Sequence, residues 1–226
     1  ANLDSLVDAF DSMTGNSKSN VIDPHSIEGG YLSLEFDKDK AQVGEIVVAK
    51  VNLYNVDNVA GFQVNVKYDP EILQPVNPDT GQPMERKTMP KNGDLLVNSE
   101  YGAIAIAENK IEEGIINFGK TYTYLEDFRL SGNSEGTGTL AEIGFKVLKE
   151  ETTVVKFEDT AIMPNSISGT MLYNWEGNRT SDYIISQPCI INGEDSDNTV
   201  DPTNPPVGSD SNISLELDKN SASIGD

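Results

Sequence analysis

Side chains able to do covalent chemistry are scarce in this chain. The single histidine, His25, follows Pro24 in a segment rich in Ser, Asn and Asp. It has no fixed geometry from which to act as general base for a nucleophile. The single cysteine, Cys189, follows Pro188 on an apolar segment and reads as a small buried hydrophobe. One His and one Cys cannot close a zinc site, and one Cys cannot form an intrachain disulfide. Carboxylates are abundant, and Glu112-Glu113 and Glu126-Asp127 are adjacent pairs. Glycoside hydrolysis needs two carboxyl groups facing one bond at a set separation, whereas neighbours on a strand or turn point apart. Asp37-Lys38-Asp39 and Asp195-Ser196-Asp197 resemble calcium loops superficially, but neither has the glycine and terminal glutamate of an EF-hand. Residues 132–138, GNSEGTG, do not join a strand to a long helix, so they form no phosphate cradle. The inventory argues against an enzyme.

The elements that would position any site are strands. Val47, Ala49, Val51 and Leu53 alternate with Val48, Lys50 and Asn52. Phe62, Val64, Val66 and Tyr68 alternate with Gln63, Asn65 and Lys67 before the break at Asp69-Pro70. Ile104 and Ile106 alternate with Ala103, Ala105 and Ala107, and Ile116 and Phe118 with Asn117 and Gly119. Further strands are expected over residues 140–148, 153–157 and, twice, 170–191. Roughly eight or nine short period-two segments separated by turn residues predict an antiparallel β-sandwich. One segment departs from the pattern: Thr123 to Glu126 has the spacing of a capping box, which predicts a short helix ending near Gly132. Leu125 and Phe128 fall on its buried face.

The chain has 226 residues, and 16 basic against 37 acidic side chains give a formal charge of −21. That charge argues against binding nucleic acid or anionic membrane surfaces. No apolar run approaches the roughly 20 residues of a membrane span. There is no initiator Met and no basic-plus-apolar leader, so a secretion signal is expected to have been removed.

Residues 193–212 contain three prolines among Asp, Ser, Asn and Gly, which reads as an extended linker. Residues 1–30 read as a flanking segment, in which Leu3, Leu6, Val7 and Phe10 have the spacing of a short helix. Residues 213–226, ISLELDKNSASIGD, repeat residues 32–45, LSLEFDKDKAQVGE, with seven of fourteen positions identical. A repeat 181 residues on suits a domain plus linker, so 213–226 is expected to begin a second copy.

The core resembles a cohesin module, most closely the type II cohesins of cellulosomal scaffoldins. The resemblance rests on LSLEFDKDKAQVGE (32–45), AGFQVNVKYDPEILQPV (60–76), GIINFGKTYTYLEDFR (114–129), GTGTLAEIGFKVL (136–148) and AIMPNSISGTMLYNW (161–175). It covers about residues 31–192. It implies an all-β, nine-stranded antiparallel jelly-roll β-sandwich with one short crown helix and no catalytic activity. It also implies a monomeric, secreted or surface-borne module that binds a dockerin through one flat sheet. No cofactor is expected on this chain, the calcium belonging to the dockerin partner. Carried onto this sequence, the dockerin-binding set is Gln63, Asn65 and Lys67, then Ala103 and Ala105 with Ala107, then Asn117, Gly119 and Thr121. A bulky charged residue at Gly119 is expected to weaken binding without unfolding the module. The alternative is a carbohydrate-binding jelly roll, although Trp175 and the scattered tyrosines form no evident aromatic strip.

Overall fold

In a computed structural model the described residues are 29–158, 169–180 and 183–194. The expected N-terminal helix, most of the linker and the repeated segment 213–226 lie outside them.

Period-two alternation becomes burial most clearly in β2, Ile46–Tyr54, where Val47, Ala49, Val51 and Leu53 have no exposed surface. The other strands are β1 Gly30–Phe36, β3 Gly61–Lys67, β4 Leu73–Val76, β5 Lys91–Asn92, β6 Ile104–Ala107 and β7 Ile115–Thr121. They continue with β8 Gly138–Val147, β9 Thr153–Phe157, β10 Met171–Tyr173, β11 Arg179–Thr180, β12 Tyr183–Ile185 and β13 Cys189–Ile191. The single α-helix among the described residues, α1, is Leu125–Ser131.

Two sheets form. One runs β12-β1-β2-β8-β4, with β5 also on β8. The other runs β11-β10-β3-β7-β6, with β9 on β3 and β13 on β9. All pairs are antiparallel except β1 with β12. This is the jelly-roll sandwich expected, with more ladder segments than nine because two-residue pieces such as β5 and β11 pair separately. Leu32, Val51, Ile143 and Phe145 of the first sheet meet Phe62, Val64, Phe118 and Leu172 of the second in one continuous core. Phe62 and Phe118 pack edge to face at 5.7 Å. Burial of these side chains, each contributing about 1.5–3 kcal/mol, is what holds the sheets together.

The helix sits at one end of the sandwich over an aromatic cluster. Phe128 is fully buried against Tyr101, Tyr122 and Trp175, with ring centroids 5.4, 5.0 and 6.2 Å away. The capping box does not form. Tyr124, not Thr123, is the N-cap, and it has no side-chain cap bond. The Thr123 hydroxyl instead donates to the Gly102 carbonyl at 2.9 Å, and Glu126 pairs with Arg129 on the helix surface. The helix is therefore held by Phe128 and by its C-cap, where Gly132 adopts φ 75° as expected.

Candidate functional site

The face of the second sheet turned away from the core is where the sequence reading puts a docking surface, and ladder register fixes its membership. Residues directly opposite in an antiparallel pair share a face. In β3 and β7, Gln63 is opposite Gly119, Asn65 opposite Asn117 and Gly61 opposite Thr121. These form the outer face, and Phe62, Val64, Val66, Ile116 and Phe118 form the inner one. The expected positions of Gln63, Asn65, Lys67, Asn117, Gly119 and Thr121 on one face are therefore met.

On β6 the face is the reverse of that expected. Ile106 lies opposite Gly119 and Ile104 opposite Thr121, so the two isoleucines are outward. Ala105 is opposite Lys120 and Ala107 opposite the core residue Phe118. Ala105 and Ala107 thus belong to the inner parity, and Ala103 precedes the strand in the same phase. Lys120 supplies the physical reason. It is an inner-face residue only 6% exposed, and its ammonium donates to Asn92 Oδ1 of β5. Burial pushes the Lys120 ammonium below its ordinary pKa. Small side chains beside it leave space for its stem to run between the sheets. The outward isoleucines are 50% and 53% exposed, an unusual state for two neighbouring apolar residues.

The outer face divides into two halves with different character. In one half the polar side chains are used up internally. Asn65 and Asn117 are 6% and 4% exposed, and the Asn117 amide donates to Asn65 Oδ1. Asn109 Oδ1 accepts from the Asn117 backbone N–H at 3.1 Å. Its own Nδ2 donates to the carbonyls of Glu85 at 2.8 Å and Thr88 at 2.9 Å. The Lys67 ammonium donates to the Glu113 carbonyl. These groups fix the loops to the sheet.

The other half is open and apolar. Ile104, Ile106, Leu125, Gln63, Thr121 and Tyr173 surround a depression of about 300 Å³ with Gly119 in its floor. Leu125 comes from α1 and Tyr173 from β10, so the helix, the edge strand β6 and strand β10 build the rim. Gly119 is there for a backbone reason. A Cβ at that position would lie 2.6 Å from the Phe62 carbonyl oxygen. Any side chain at 119 therefore pushes β7 off β3, and the expectation that a bulky residue would leave the fold intact is corrected.

Chemically, the site can bury apolar side chains and exchange hydrogen bonds at its rim. Among the described residues, no three His, Cys, Asp or Glu side chains converge as metal ligands. Tyr101, Tyr122, Phe128 and Trp175 are engaged in the crown cluster and Tyr31 and Tyr54 stack on each other at 6.2 Å, while Tyr124 is exposed and Tyr173 stands at the rim. Cys189 is partly buried with its Sγ 3.0 Å from the Leu34 carbonyl, and burial pushes the thiol up to about 11. That is an inert structural thiol, as its sequence context indicates.

Comparison with known proteins gives a consistent picture. Residues 32–173 match the family model described as cohesin domain. The second type II cohesin module from the cellulosomal adaptor ScaA scaffoldin of Acetivibrio cellulolyticus is 48% identical. It superposes with a TM-score of 0.70 over 74% of this chain and 99% of its own. The structure of a type II cohesin–X-dockerin complex from the same organism matches at 47% identity and a TM-score of 0.69, covering 74% of this chain and all of the matched one. Cell surface glycoprotein 1 of Acetivibrio thermocellus is 42% identical over 195 residues, which are 86% of this chain but only 8% of that protein.

Proposed function

The chain belongs to the cohesin family, whose modules are non-catalytic protein-interaction domains, and from that premise we propose that residues 31–192 are a type II cohesin module of a cellulosomal scaffoldin. Its partner is a type II dockerin loaded with calcium, and the calcium stays on the dockerin. The module acts outside the cell or on its surface, where several dockerin-bearing proteins gathered on one scaffoldin serve plant polysaccharide degradation. Residues 193–212 are the linker to the next module, and 213–226 are the start of that module.

The observation that carries the reading is the half-open sheet face. Ile104 and Ile106 are exposed next to a floor without side chains at Gly119, with Leu125 and Tyr173 at the rim. A helical partner can lie close to such a floor and bury its own apolar residues there, and buried apolar anchors dominate interface energetics. Gln63 and Thr121 provide polar contacts at the rim. The face is rigid, because Asn65, Asn109 and Asn117 lock its other half, so docking needs little backbone change. Tandem copies on linkers then raise the local concentration of whatever the dockerins carry.

Calorimetric titration with a calcium-loaded type II dockerin tests the proposal. One-to-one binding that disappears on chelation supports it. An absence of heat, or binding indifferent to chelation, refutes it.

A further inference from the structure

Five non-glycine residues among the described ones have a left-handed backbone, and three of them are asparagines, which tolerate that conformation. The other two are Leu96, with φ 55°, and Glu135, with φ 51°. They are bonded to each other: Glu135 Oε2 accepts from the Leu96 N–H at 2.6 Å. Strained backbone persists where its surroundings over-determine it, and it collects at clamps and functional sites. The surroundings here are the crown of the sandwich, beside the open half of the sheet face.

The second oxygen of the same carboxylate is also used. Glu135 Oε1 accepts from the Tyr122 hydroxyl at 2.5 Å, and the Tyr122 oxygen accepts in turn from the Asn98 N–H at 3.3 Å. Tyr122 is fully buried, with its ring 5.2 Å from Tyr101 and 5.0 Å from Phe128. Burial first, and the Glu135 carboxylate second, push its phenol above the ordinary value, so it stays a donor. These two residues bracket the helix. Tyr122 lies just before Leu125, where α1 begins, and Glu135 just after Ser131, where it ends. One carboxylate thus closes the loop of chain that carries α1 and ties it to residues 96–98. Those residues lead into the short 3-10 turn Ser99–Tyr101, whose Tyr101 carbonyl accepts from the N–H groups of Thr123 and Tyr124 at 3.0 and 2.9 Å.

Such a tie matters because α1 has only seven residues and no side-chain cap at its N-terminus. A helix that short does not hold itself, so its orientation comes from the chain on either side. Leu125, the residue α1 lends to the rim of the depression, moves with that orientation. Ile104, Ile106 and Gly119 stand instead on strands paired independently of the helix. We infer that Glu135 and Tyr122 are a positioning pair for the docking face, setting α1 so that Leu125 meets the same partner as Ile104 and Ile106. The inference rests on the dockerin reading of that face. Neither Tyr122 nor Glu135 lines the depression, so the effect runs through Leu125.

The test is a double-mutant cycle on the 226-residue chain, titrated by calorimetry with a calcium-loaded type II dockerin, with thermal unfolding as the folding control. Glu135→Ala and Tyr122→Phe are each expected to raise Kd about fivefold, the scale of coupling within one hydrogen-bonded network. Glu135→Gln keeps an acceptor for the Leu96 N–H and should bind within about twofold of the parent. In a Leu125→Ala background, Glu135→Ala should cost no further affinity, although it still lowers the thermal midpoint. If Glu135→Ala does not fold, Tyr122→Phe, which removes one oxygen from an intact ring, completes the same cycle. A purely structural role would lower the midpoint and leave Kd unchanged in both backgrounds. The inference is overturned if the folded variants bind like the parent, or if they cost as much affinity without the Leu125 side chain as with it. A parent that does not bind overturns the dockerin reading itself, and this inference with it.

Discussion

Replacing Ile104 and Ile106 together by threonine should weaken dockerin binding while leaving the module folded. Threonine keeps the β-branch that suits a strand, so the edge strand β6 is preserved. Each substitution removes the terminal methyl and exchanges one methylene for a hydroxyl, about two carbons of apolar surface. At about 0.8 kcal/mol per buried carbon, complete transfer of each side chain would account for about 1.6 kcal/mol. The isoleucines are 50% and 53% exposed in the free module, so a partner can remove only half of that surface. Roughly 0.8 kcal/mol per residue, or ~1.6 kcal/mol for the pair, corresponds to a rise in Kd of about 15-fold. The assay is isothermal calorimetry on parent, single and double variants, with thermal unfolding as the folding control. Ala105→Ser, on the opposite face of the same strand, should bind like the parent. The reasoning fails if the double variant, still folded, binds within twofold of the parent, or if Ala105→Ser costs as much.

Three further predictions separate framework from contact. Gly119→Ala should lower stability by about 1–3 kcal/mol, read as a fall in the denaturant midpoint, because its Cβ would meet the Phe62 carbonyl oxygen at 2.6 Å. Asn109→Ala removes three buried hydrogen bonds and should destabilise by roughly 2–3 kcal/mol while leaving dockerin affinity within twofold, since its bonds anchor the closed half of the face. Stability should fall in alkali. The Cys189 thiol ionises near 9 when unfolded and near 11 when folded, so the folded state holds its proton more tightly. That contribution is intact below pH 9 and is lost as pH rises through 11. Tyr54, pushed up to about 12 chiefly by burial, acts in the same direction at higher pH. Urea midpoints at pH 8 and 10.5 should therefore diverge, and Cys189→Ala should narrow the difference.

How much of this was readable from sequence depended on whether neighbouring residues share the burden of the signal. In β2 and β3 alternate residues differ sharply in polarity, and Val47, Val51, Val64 and Val66 are all fully buried as the alternation predicts. β6 offers only IAIA, in which both sets are apolar, and its face is decided by register against β7. There Phe118 sits opposite Ala107 and Gly119 opposite Ile106. A one-residue slip inverts such a strand, and nothing local prevents it. A usable signal lay across the ladder, since an inward Lys120 needs small neighbours. Thr123 had the right spacing for a cap, but the close approach of Gly102 gave its hydroxyl a different acceptor. Alternation puts Asn65 and Asn117 on the outer face, yet their burial depends on long-range hydrogen bonds, which alternation cannot register.

The central claim is that the open half of the β3–β7–β6 face is where a dockerin docks. Cross-saturation between a calcium-loaded type II dockerin and methyl-labelled chain tests it most directly. The account predicts saturation transfer to the δ1-methyls of Ile104 and Ile106 and to Leu125, with none at Ile46 or Ile72 on the other side of the molecule. Transfer confined to methyls outside β3, β6, β7 and α1 would contradict it.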